Sequence, residues 1–168
     1  MLQEIKVCEL EKFNPFTKIE KEWALVTAGS LDKCNTMTAN WITLGYLWRK
    51  NVAFVYVRPQ RYTFEFTEKN DYITLSFFGE EYRKVLTYCG TKSGRNEDKI
   101  KNCNLTPVQL GGGVGFEEAT LVLVGRKIYT DWIKEDNFID KQVIPACYPQ
   151  HDFHKFYIID IEKVFIQH

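Results

Sequence analysis

Cys89-Gly90-Thr91-Lys92-Ser93-Gly94-Arg95-Asn96-Glu97-Asp98-Lys99 is the stretch on which the reading of this chain turns. Ser93-Gly94 makes a small-residue turn. Asn96 then predicts a capped short helix over Glu97–Cys103, with Glu97 and Asp98 suited to its positive end. Unpaired backbone N–H groups at such a turn and helix start form a pole that attracts phosphate. Arg95 adds a forked donor, Lys99 a point charge and Ser93 a hydroxyl, which together make an anion cradle. The same residues also suit an ordinary capped helix with solvated charges.

Upstream of the cradle, Glu80–Cys89 predicts a helix. Its acids come first, Tyr82, Val85, Leu86 and Cys89 supply an apolar face, and Gly90 acts as terminator. Further back, Asn35-Thr36-Met37-Thr38-Ala39-Asn40-Trp41 follows an apolar run from Trp23 to Val26 and a turn over residues 28–32. Its amide, hydroxyls and backbone suit the polar edge of a flat heteroaromatic ring, and Trp41 offers a plate for the ring's face. The alternative is a turn whose Asn and Thr side chains bond their own backbone. Between these two segments lies Val57-Arg58-Pro59-Gln60-Arg61-Tyr62-Thr63, which closes the apolar run Val52–Tyr56. Pro59 lacks an N–H and ends the ladder, gathering two arginines, an amide and a hydroxyl at a strand end, where ligand sites tend to sit. A charged loop that merely solubilises a hairpin would look the same.

Strands are predicted over Trp23–Ala28, Val52–Val57, Tyr72–Phe78, Thr120–Val124, Lys127–Trp132 and Phe156–Phe165. Gly125-Arg126 either turns a hairpin or forms a bulge within one long strand. Gly111-Gly112-Gly113 reads as a flexible hinge, and no strand–Gly–helix frame surrounds it to make a dinucleotide fingerprint.

The 168 residues fit one domain with a sizeable core. Twenty-two basic and 22 acidic residues cancel, so neither nucleic acid nor a membrane surface exerts a global pull. The apolar runs fall short of a membrane span. Met1-Leu2-Gln3-Glu4 lacks the charged start and apolar stretch of a secretory signal. Cys8, Cys34, Cys89, Cys103 and Cys147 are scattered, with neither a C-x-x-C pair nor zinc spacing, so no metal site is expected. A reducing, cytoplasmic setting with free thiols follows. Cys89 ends the predicted helix beside the cradle, either as an apolar helix-end thiol or in contact with a ligand.

In their order and at these intervals, the three segments resemble those of flavin reductase-like, FMN-binding split-barrel proteins, and of the flavoredoxin-like branch in particular. A fourth likeness lies in Asp152-Phe153-His154-Lys155-Phe156-Tyr157-Ile158, which is similar to that family's acidic-x-His run at the start of a strand. The resemblance covers the chain from about Trp23 to Val164. It implies a mainly β, Greek-key FMN-binding split barrel as a single domain over residues 1–168, with a helix over Arg61–Asn70.

For the site, the resemblance implies non-covalent FMN. Asn35, Thr36 and Thr38, with the backbone around Met37 and Ala39, would bond the ring's polar edge, and Trp41 would pack beside the ring. Arg58, Arg61 and Thr63 would reach the ribityl chain or phosphate. Ser93, Gly94, Arg95 and Lys99 would hold the phosphate, and Cys89 and Gly90 would line the wall. His154 is the candidate catalytic residue, as a titrating group near the flavin, or else a half-buried strand histidine bonded to Asp152 or backbone. His151 is a weaker rival, and His168 is terminal. Two departures bear on the site. Asn40 stands where relatives often carry a smaller residue, and Ile159 where a glycine is common, which would narrow access for a nicotinamide.

The resemblance further implies a flavoprotein oxidoreductase moving electrons between NADH or NADPH, or a protein donor, and an acceptor. A non-catalytic FMN storage or sensing module is the alternative class. It implies a homodimer with FMN near the interface, for which Phe13, Phe16 and Trp132 could supply a surface, and a ferredoxin-type or reductase partner. Neither nucleic acid nor a membrane is implied as a partner.

Overall fold

A computed structural model describes residues 1–10 and 13–167; His168 lies outside them. The chain opens with β1 (Leu2–Ile5) and α1 (Pro15–Glu22), the helix started by the Asn14 side chain accepting from Phe16 N at 3.1 Å. β2 (Ala24–Gly29) and β3 (Cys34–Ala39) form a hairpin whose turn is closed by reciprocal backbone bonds between Ser30 and Lys33. β4 (Ile42–Leu47) and β5 (Lys50–Val57) form a second. Its two-residue turn places Trp48 and Arg49 at φ 52° and 60°, the mirror-image geometry that matches strand twist. Left-handed backbone costs such residues about 1 kcal/mol each. Trp48 recovers part of that cost by packing edge-on against Tyr129, ring centroids 5.9 Å apart.

After β5 come α2 (Tyr62–Lys69), β6 (Tyr72–Phe77), α3 (Arg83–Thr91) and the one-turn α4 (Lys99–Asn102). A small hairpin, β7 (Pro107–Leu110) with β8 (Gly113–Phe116), leads to the long β9 (Leu121–Trp132). α5 (Val143–Cys147) and β10 (Lys155–Gln167) finish the chain.

The main sheet is antiparallel in the order β3-β2-β6-β9-β10-β5-β4, with β1 added on the far part of β10. Its crossovers are of Greek-key kind. β3 and β4 end the path without pairing, so the barrel stays open, as the split-barrel expectation requires. One core fills the concave side, with Ala24, Val26, Val55, Val57, Leu75, Leu123 and Ile159 pointing inward. A second core lies on the other face, where Leu25, Val122 and Val124 meet Leu86 and Cys89 of α3 and Leu110 and Phe116 of the small hairpin. β2 and this half of β9 are thus buried on both faces, which is why they read as unbroken apolar runs.

Several local expectations change. The Asn35–Trp41 run is mostly strand, because its threonines suit a pleated ladder and pair with β2, Thr27 opposite Thr36. The helix before the cradle starts later and runs through Gly90 to Thr91, after a separate 3₁₀ turn over Glu80–Tyr82. α4 is capped by Asp98, which accepts from Lys101 N at 3.0 Å, rather than by Asn96. The triple glycine is no hinge. Gly111 takes φ +59° in the β7–β8 turn, and a Cβ on Gly112 would lie 2.4 Å from the Tyr72 ring. Gly125 sits within one continuous strand, beneath the Ile159 side chain.

Candidate functional site

The three sequence segments do converge, and their first product is a set of bonds to one another. The Asn35 amide, oriented to satisfy both its ends, accepts from Thr63 N at 3.2 Å and Thr63 Oγ1 at 2.7 Å, so it caps the start of α2. Gly94 presses on this amide so closely that a Cβ there would lie 2.1 Å from its other end. Thr36 is fully buried, its hydroxyl accepting from Thr27 Oγ1 at 2.9 Å. Lys99, only 4% exposed, turns its ammonium inward and donates to Thr36 O at 2.6 Å and Cys89 O at 3.0 Å. Burial pushes its pKa down to about 8. Arg95 lies outside, donating to Gln60 O at 3.0 Å and Glu65 Oε1 at 2.7 Å, with Tyr62 beneath its guanidinium.

What these ties frame is a cavity of about 270 Å³, lined by Met37, Thr38, Ala39, Asn40, Trp41, Tyr56, Arg58, Arg61 and His154. The end of β3 and the residues just after it form one side. Strict alternation on β5 sends Val55 and Val57 into the core and Tyr56 to the opposite face, toward Arg58 beyond the strand's end. His154 lies immediately before β10 and is tied into the sheet by Ile133 N, which donates to its carbonyl at 2.9 Å.

Two guanidiniums border the cavity on unequal terms. Arg58 is ion-paired with Asp152, donates to Cys147 O at 2.8 Å and packs over Tyr148. Arg61 donates to Gly90 O at 2.7 Å and Cys89 O at 3.4 Å, and it forms no ion pair among the described residues. Burial, and then the repulsion of Arg58, hold its pKa below the ordinary arginine value. A half-buried cation beside a second cation, with carbonyls but no carboxylate, is an electrostatic deficit that an anion in the cavity would fill.

The aromatic wall is built around His154. Its ring lies 4.7 Å from that of Trp41, and its Nδ1 is 2.9 Å from the hydroxyl of the buried Tyr148. Burial, assisted by Arg58, pushes its pKa from 6.5 down to about 4. The folded ring therefore stays neutral near pH 7, and between pH 6.5 and 4 the unfolded chain binds a proton that the folded chain refuses. Stability is lost as pH falls through that window, by roughly 1–2 kcal/mol from this ring after allowing for solvent at the cavity mouth. Urea unfolding at pH 7 and about pH 4.5 checks this, because His154→Gln should flatten the acid loss relative to the native chain.

Of the sequence-predicted residues, Met37, Thr38, Ala39, Trp41, Arg58, Arg61 and His154 line this cavity. Asn35, Thr36, Thr63, Cys89, Gly90 and Lys99 form the framework behind it, and Ser93, Gly94 and Arg95 sit beyond that framework. Asn35, Gly94 and Lys99 instead line a separate cavity of about 360 Å³, together with Glu97 and Asp98, whose carboxylates disfavour an anion. His151 pairs with Glu135 at the surface. Ile159 is fully buried under Gly125 and cannot narrow access to the site. Tyr56 and Tyr148 were missed as site residues. Strand alternation from Val55 and Val57 gives the first away, whereas nothing in the local pattern marks Tyr148.

No family model matches the sequence, and no curated protein matches it. Solved structures do resemble the fold. The flavoredoxin of Desulfovibrio vulgaris (Miyazaki F) is 22% identical, with 87% of this chain and 69% of that one covered at a TM-score of 0.68. An FMN-binding protein from Thermus thermophilus is 18% identical, covering 87% and 71%, with a TM-score of 0.67. An FMN-binding domain of a flavin reductases-like enzyme from Shewanella baltica OS155 is 15% identical, covering 99% and 77%, with a TM-score of 0.69. The likeness is one of fold, and it is the fold that the sequence motifs imply.

Proposed function

We propose that this chain is a flavoprotein oxidoreductase that holds FMN non-covalently in the Trp41–His154–Arg61 cavity. The observation that carries this reading is the meeting of an aromatic wall with a guanidinium that has no carboxylate partner among the described residues. A flat ring suits Trp41, Tyr56 and His154, and a phosphate suits Arg61 with help from Arg58. The similar folds of flavin-binding proteins support the same assignment. When bound, FMN would supply hydride and electron transfer, taking electrons from NADH, NADPH or a protein donor such as a ferredoxin-type protein or a reductase.

The chain's own residues then position and tune. The backbone after Met37 and the amide of Asn40 offer polar partners at the rim, and donors aimed at a ring edge that gains charge favour its reduced form. Neutral His154, fixed through Nδ1 by Tyr148, presents an uncharged ring to the ligand. Stopped-flow reduction of the FMN-loaded protein by NADH and NADPH tests turnover. Bleaching within seconds fits a reductase, reduction by ferredoxin alone fits a carrier, and reduction by none of them contradicts the oxidoreductase reading and leaves an FMN-storing module.

The reading extends to a homodimer. Beside the cavity the outward face of β9, β10 and β5 is aromatic: Phe54 stacks on Phe156 at 6.1 Å, and Tyr56 and Tyr129 flank Phe156 at 6.0 and 6.2 Å. Tyr56 belongs both to this face and to the cavity wall, so a second copy seated here would adjoin the ligand. Of the aromatics expected to supply a dimer surface, Phe13 packs on core Phe77, while Phe16 and Trp132 remain exposed.

A further inference from the structure

We propose that Cys89 and Cys103 are a reversible dithiol–disulfide pair that locks the loop between α3 and α4. The two are 14 residues apart in the chain, and their sulfurs lie 4.0 Å from each other. Cys89 sits in the last turn of α3 and is fully buried, while Cys103 follows α4 directly and is partly exposed. Lys99 holds these ends together by donating to Cys89 O from within α4, and Cys103 N donates to Lys99 O at 3.0 Å. A disulfide needs the sulfurs about 2 Å apart, so forming the bond requires a further approach of about 2 Å from the 4.0 Å seen here.

The ring so formed would run from residue 89 to residue 103 and enclose the whole Ser93-Gly94-Arg95 turn. That turn buttresses Asn35 through Gly94, and Arg95 ties it to Gln60 and Glu65. Closing the pair would therefore stiffen the framework that stands behind the cavity.

The unequal burial of the two thiols sets the order of events. A hydroperoxide reaches Cys103, whose thiolate attacks the outer oxygen; the O–O bond breaks, an alcohol leaves and the sulfur becomes a sulfenic acid. The Cys89 sulfur then attacks that sulfur, the S–S bond forms, the S–O bond breaks, and the departing hydroxide takes the Cys89 proton as water. Two thiols lose two electrons and two protons in all, and the hydroperoxide accepts them. Burial pushes Cys89 up to about 12 and also raises Cys103, so both rest as thiols at neutral pH.

The test needs no flavin and stands apart from the FMN reading. The full chain is exposed to tert-butyl hydroperoxide at about pH 8.5, alkylated, and analysed by intact mass and a non-reducing peptide map. The expected product lacks two alkylatable thiols, weighs about 2 Da less and yields a peptide joining Cys89 to Cys103, all reversed by dithiothreitol. Amide exchange over residues 91–98 should slow at least threefold or so in that product. Cys103→Ser should abolish both the mass loss and the cross-link. The proposal is overturned if five thiols still alkylate, if Cys103 accumulates as sulfinic acid with Cys89 reduced, or if the mass loss persists in Cys103→Ser.

Discussion

Arg61→Ala should weaken FMN binding by roughly 10- to 100-fold, the value of one or two charge-assisted bonds to a phosphate. Arg61 is the cation that borders the cavity without a carboxylate partner among the described residues, so its positive charge remains available to a ligand. Arg58 is committed to Asp152, Lys99 to two buried carbonyls and Arg95 to Glu65. Arg95→Ala should accordingly change affinity by less than about threefold. Arg61 also supports the carbonyls of Gly90 and Cys89, so the substitution could loosen the wall as well. Riboflavin separates the two effects, because it carries the ring without the phosphate. Loss of a phosphate contact abolishes the preference for FMN over riboflavin, whereas a loosened wall weakens both ligands alike. Fluorescence titration of both flavins against both variants gives the answer, and an unchanged FMN preference in Arg61→Ala would place the phosphate elsewhere.

The second large effect is expected at the aromatic sheet face. Phe156→Asp should turn a dimer into a monomer, raising the dissociation constant at least about 100-fold, because a carboxylate buried there without a partner costs several kcal/mol. Phe156 stands directly opposite Tyr56 on β5 and is half-exposed in the single chain. In the monomer the new carboxylate would reach water, so the fold should survive with an unchanged circular dichroism spectrum. Sedimentation velocity over a concentration series reads the outcome. A native chain that is monomeric throughout, or a variant that dimerises as well as the native chain, would remove the proposed interface.

The strands that the sequence revealed are the ones with the least ambiguous surroundings. β2 and the first half of β9 are packed on both faces and appear as continuous apolar runs, and β6 is buried along nearly its whole length. β4 escaped notice because exposed Thr43, Gly45 and Tyr46 interrupt its pattern, and β7 and β8 because four residues give alternation too little length. The site was legible as three segments that converge, and that much follows from turn and strand-end chemistry. Which side chains face the cavity was not. Asn35, Thr36, Thr63 and Lys99 are polar residues of the kind a ligand uses, yet each finds its partner within the protein, and burial of that sort depends on contacts between segments far apart in the chain. Cys89 shows the same limit in reverse, since its neighbour Cys103 comes into reach only after two helix ends meet.

In the function proposed, an aromatic wall and a guanidinium without an acidic partner among the described residues form a flavin mononucleotide site. Titrating the purified, flavin-free chain with FMN, while following tryptophan emission and the visible flavin band, tests it most directly. One FMN per chain should bind, with a shifted band and quenched emission, and Trp41→Phe should remove a large part of the quenching. A well-folded chain that leaves both signals unchanged at millimolar FMN would contradict the account.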